Sequence, residues 1–215
     1  MDDKPMCVVF IKGRGGSVWT SPVQAGRTTI INLDGRLDGA MTDTQKADNT
    51  IAGAGEQLFQ FAIDRGDMNA ILDVLPLEVP EKRAALEYEI QLLRIISVGW
   101  AIAFFLADSG LKTPLGQHFW DNVSTFSTTL SASASLTMGS DIDYFDILKK
   151  RLDTYVGALD AAGQIPEPAM AIGPAFAGVC GDPDDACAIL AGSKMFSLTI
   201  NAVRQYLGGT ATQQD

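Results

Sequence analysis

From residue 47 onward, apolar side chains return every three or four positions. Ala47, Ile51, Ala54, Leu58 and Phe61 share one helical face, and Arg65-Gly66 closes that helix. Gly53 and Gly55 fall inside it; each weakens a helix by about 1 kcal/mol relative to alanine, so both are expected to admit a closely packed neighbour. A short segment over 67–75 follows, and Pro76 and Pro80 bracket a break.

The next stretch, 80–108, opens as an amphipathic helix with Pro80 in the first turn and Glu81 against the positive end of the dipole. After Leu92 it is apolar on every side: Ile95, Ile96, Val98, Trp100, Ile102, Phe104, Phe105 and Leu106. Such a helix needs neighbours all round, which makes it the hub of a bundle with Trp100 and Phe104 deeply buried. Arg94, at the edge of this run, must then reach a carboxylate or the surface.

Phe119, Val123, Phe126, Leu130 and Ala134 stripe a third helix through a Ser/Thr-rich sequence to about 138. Ser140-Asp141-Ile142-Asp143 resembles a capping box, and Ile142, Phe145, Leu148, Leu152, Tyr155 and Leu159 line the helix after it. The Pro/Gly-rich span 163–181 reads as a connection that packs on the bundle or covers a site. Asp182-Pro183-Asp184-Asp185 opens the last helix with proline in its first turn; Phe196, Ile200, Val203 and Leu207 form its stripe, and Gly208-Gly209 stop it.

Residues 1–40 have a different texture. The runs 7–11, 17–20 and 28–33 are β-branched or apolar and are separated by glycines, which predicts a small hairpin or flap. The expected architecture is mainly α: five to six helices around a central apolar helix (41–209), an N-terminal β flap (1–40) and a disordered polar tail (210–215). Too few strands exist in the flap to bury both faces of Val8, Phe10, Trp19, Ile30 and Ile31, so these are the expected interaction residues.

Charge narrows the partners. Sixteen Lys and Arg against 26 Asp and Glu give a formal net charge of -10, which repels phosphate backbones and excludes nucleic acid as the expected ligand. Lys149, Lys150 and Arg151, with Asp146 and Asp153 nearby, read as a solvated helix face. The uncharged run 95–107 is shorter than the roughly 20 residues a membrane span requires, and no basic amphipathic helix is present. Three cysteines and an acidic start point to a reducing cytoplasm rather than secretion.

Chemistry is sparse. One histidine, His118, excludes His-Glu-x-x-His zinc sites and paired Glu-x-x-His di-iron sites, and it reads as a structural residue. Lys12-Gly13-Arg14-Gly15-Gly16 lacks the Gly-Lys-Ser/Thr ending of a phosphate loop, and Asp141, Asp143 and Asp146 lack the glycine and distal glutamate of a calcium loop. Cys180 and Cys187 form a possible redox pair, with Cys187 in the first turns of a helix where thiolate is favoured. No metal or cofactor is expected. The resulting reading is a non-catalytic acidic helical protein that works through protein–protein interaction, including self-association as a homo-oligomer. The rival is an all-α Mg-dependent nucleotide hydrolase or a small-ligand-binding bundle, using Glu78, Glu81 and Glu87 beside the hub.

Overall fold

The computed structural model describes residues 43–76, 80–139, 141–163 and 167–211. The chain divides into two units, Met1–Asn49 and Thr50–Asp215, and the fold below is that of the second. The expected flap, with Val8, Phe10, Trp19, Ile30 and Ile31, lies outside the described residues, as do Glu78 and 212–215.

The chain is mainly helical. Its described helices are α1 (Asp43–Ile63), α2 (Gly66–Asp73), α3 (Pro80–Phe105), α4 (Lys112–Met138), α5 (Tyr144–Ala162), α6 (Ala169–Val179) and α7 (Ala186–Ala211). Six of them match the periodic segments of the sequence. The seventh, α6, corrects the reading of 163–181 as a connection. Its apolar residues tolerate Pro174 because the bundle packs Ile172, Gly173, Phe176 and Ala177 out of water, and packing outweighs propensity.

Helix α3 is the hub, touching α2, α4, α5, α6 and α7. Ile90, Leu92, Leu93, Ile95, Ile96, Val98, Ala101 and Ile102 are all buried. Burial stops there. Trp100 is only half-buried and Phe104 is 58% exposed, which corrects the expectation that both lie deep. Apolarity on all sides requires neighbours on all sides, and the last turn of α3 lacks them: Phe104 rests one face on Trp100, at 4.7 Å and 14° between rings, and turns the other outward.

Close helix approaches depend on missing β-carbons. A Cβ at Gly99 would strike the Trp120 indole, and one at Gly55 would lie 2.7 Å from the Cβ of His118. Gly55 therefore admits α4, as expected. Gly53 has nothing within 4 Å, so close packing is not its explanation. In the α6–α7 pair, a Cβ at Gly192 would meet Phe176 at 2.7 Å and one at Gly173 the Ile189 carbonyl oxygen at 3.0 Å.

Capping follows the sequence with two adjustments. Asp143 is the N-cap of α5, accepting from the Asp146 amide at 2.9 Å. Asp185 accepts from the amides of Cys187 and Ala188 at the start of α7, so Pro183 sits in the preceding turn and not in the helix. Helix α7 also runs past Gly208 and Gly209 to Ala211.

Candidate functional site

Two charged groups lie inside the bundle, and each is paired there, although Arg94 Nε is buried without a hydrogen-bond partner. Arg94 is 1% exposed; it donates to the Asp64 carbonyl oxygen at 2.6 Å and to Asp67 Oδ2 at 3.2 Å, with its guanidinium 4.5 Å above the Phe61 ring. Desolvation pulls its pKa below the ordinary arginine value, opposed by Asp67 and Asp64. The expected partner of Arg94 is thus a carboxylate from the α1–α2 junction.

The second group is a polar cluster among α3, α5 and the end of α6. Arg151 donates bidentately to Glu89, Nε to Oε2 at 2.8 Å and Nη2 to Oε1 at 2.7 Å. This corrects the solvated reading of Lys149–Arg151: Lys150 pairs with Asp146 at the surface, while Arg151 turns inward to the buried glutamate. A helix presents successive residues about 100° apart, so one basic triplet can face both water and core.

Around Glu89 stand Tyr88, Tyr144, Tyr155 and Cys180. The Tyr88 and Tyr144 rings meet edge to face at 5.7 Å. Burial, reinforced by the neighbouring Tyr88 and by the Glu89 carboxylate, pushes Tyr144 up to about 12. Tyr155 is raised further still, first by burial and then by Glu89, and its hydroxyl is buried without a partner in the described structure. Cys180 keeps part of its surface in solvent, yet desolvation of the thiol and the Glu89 charge push it up to about 12. Near neutral pH Tyr144 and Cys180 therefore hold their protons.

Of the sequence-derived candidates, Glu81, Glu87, Cys180 and Cys187 lie among the described residues. Glu87 pairs with Arg65, and Glu81 stands exposed in the first turn of α3. Among the described residues, no three His, Cys, Asp or Glu side chains converge as a metal site would require. Cys180 and Cys187 are both free thiols; between them in the chain lies Asp185, whose Oδ2 is 2.7 Å from Lys82 Nζ. His118 lies against α1 at Gly55, in keeping with a structural role. A cleft of about 110 Å³ between α1 and α7 is lined by Leu58, Phe61, Val203 and Tyr206.

The outer face of α6 and α7 is where the structure adds residues that sequence reasoning missed. Helix α6 contains no charged residue; Met170 is 65% exposed, and Pro174 and Gly178 follow it outward at intervals of four. On α7, Leu190 is 59% exposed, with Lys194 and Leu198 exposed at the same spacing. The signal available beforehand was the uncharged run 168–181 in a chain that is 20% charged. By length and composition α3 and α7 each suffice to cross a membrane, but 67% of the apolar window of α3 is buried against 39% for α7, in line with the outward apolar positions of α7. No protein-family model, curated protein or solved structure matches the chain.

Proposed function

We propose that this is a non-catalytic, self-associating helical protein of the cytoplasm whose working surface in the described bundle is the outer face of α6 and α7. The observation that carries the reading is the exposure of Met170 and Leu190 on two adjacent helices, in a neighbourhood where α6 has no charge at all. Contiguous exposed apolar surface on a folded protein marks a contact site.

One fact weighs against the magnesium-dependent form of the rival reading: Glu87 is engaged by Arg65.

The test is the mass of the full chain by light scattering over a range of concentrations, alone and with Met170→Glu/Leu190→Glu. The expected result is an oligomer for the parent chain and a folded monomer for the variant. A parent chain that stays monomeric overturns the reading. An oligomer indifferent to the two substitutions moves the contact away from this face, with residues 1–40 next in line for deletion.

A further inference from the structure

We infer that the partner of the α6–α7 face is a second copy of the same chain, docked antiparallel so that Lys194 of each copy meets Asp184 of the other. This rests on the interaction reading above and specifies its partner and geometry.

The argument begins with how α6 and α7 lie together. Gly173 packs on Ile189 and Ser193, Gly192 packs on Phe176, and Ser193 Oγ donates to the Ala169 carbonyl oxygen at 3.0 Å. Falling numbers on α6 thus match rising numbers on α7, and the pair is antiparallel. In both helices an exposed residue comes one position after a contact residue: Met170 after Ala169, Pro174 after Gly173, Leu190 after Ile189. An equal rotation of about 100° in each of two antiparallel helices turns both exposed stripes to the same side. Met170, Pro174, Gly178 and Leu190 therefore form one apolar surface.

Charge selects the occupant. Each copy carries a formal -10, so two copies repel unless they approach through a face without acidic residues at its centre. This face has that property, with Lys194 on its exposed stripe and Asp184 in the turn that precedes α7. Lys194 is exposed and has no ion-pair partner among the described residues. At the other end, Asp185 is taken by Lys82, whereas the Asp184 carboxylate is exposed and unpaired there. Leu190 lies between them in sequence, four residues before Lys194 and six after Asp184. A two-fold axis crossing α7 next to Leu190 sets Lys194 opposite Asp184 of the second copy, and symmetry makes that contact twice. A partner with a basic surface would instead be drawn to the acidic faces of the bundle, away from Lys194.

The experiment is a charge swap in the full chain, read by sedimentation velocity with circular dichroism to confirm folding. Lys194→Glu and Asp184→Lys are each expected to weaken the dimer by about tenfold or more, because each puts like charges face to face twice. Combined, they restore the opposite-charge pair, and dimerisation should return to within about threefold of the parent. Both side chains are exposed, so folding is expected to survive. Single variants that weaken the dimer without mutual rescue overturn the antiparallel register. Single variants without effect, when Met170→Glu/Leu190→Glu still dissociates the dimer, also overturn the register but leave the interaction reading standing. A parent chain that never dimerises removes both.

Discussion

At the scale of single residues, the interior is organised by two cations that the core has to satisfy. Arg151 and Glu89 gain from each other only as a pair, since either alone leaves a charge in a desolvated place. Arg151→Met is therefore expected to cost about 3 kcal/mol in urea denaturation, while the double variant Glu89→Leu/Arg151→Met recovers a large part of that loss. Equal losses in the single and double variants would show that the pair does not act as a unit. Cys180 belongs to the same neighbourhood. With its thiol pushed up to about 12 by desolvation and by the Glu89 charge, its thiolate fraction near pH 8 falls well below that of an ordinary thiol. Iodoacetamide labelling followed by mass spectrometry should find Cys180 modified far more slowly after folding than in urea. Rapid labelling of the folded chain would contradict the desolvated position.

At the scale of elements, glycine has two opposite meanings here, and the sequence alone does not separate them. Gly99 lies where α3 meets Trp120 of α4, so Gly99→Ala should destabilise by about 1–3 kcal/mol despite alanine's better helix propensity. Gly53 sits in α1 with open space around its Cα, so Gly53→Ala should stabilise by up to about 1 kcal/mol. Thermal midpoints of the two variants should move in opposite directions. The same distinction explains α6. Glycine and proline mark a connection when only local preference is weighed, but Gly173 is a contact point on α7 and Pro174 is on the exposed side, so both are accommodated in a helix.

At the scale of the whole molecule, the buried proton-holding groups give stability a pH dependence. Cys180 and Tyr144, ordinarily at 9.0 and 10.0, are both pushed up to about 12 in the fold. Above about pH 9 the unfolded chain loses these protons while the folded chain keeps them, so the unfolded state binds fewer and stability falls as pH rises. Their contribution is complete below about pH 9 and is lost between there and about pH 12. Urea midpoints should decline across that window, and Tyr144→Phe/Cys180→Ser should flatten the decline. A parent midpoint that stays level to about pH 11 would refute the assignment. The proposed self-association would add a second dependence, on salt: an interface with Lys194–Asp184 pairs would loosen as ionic strength rises.

What the sequence settled by itself is the set of elements governed by local periodicity and by chain-breaking residues. The apolar stripes of α1, α4, α5 and α7, the start of α3 at Pro80, and the role of α3 as hub all follow from spacing and chain-breaking residues, because 3.6-residue periodicity fixes which side chains share a face. The need of Arg94 for a carboxylate or the surface was equally legible, and the structure gives it the Asp67 carboxylate beside the Asp64 carbonyl oxygen. Tertiary structure decided the rest. Whether Arg151 faces water or Glu89, whether Phe104 is covered, whether 169–179 is helix or loop, and whether Gly53 and Gly55 have neighbours all depend on residues far away in the chain. Glu89 and Arg151 are 62 positions apart, and no local pattern encodes that meeting. The outer face of α6 and α7 belongs to the same class: its composition was visible, but only the antiparallel packing through Gly173 and Gly192 brings Met170 and Leu190 onto one surface.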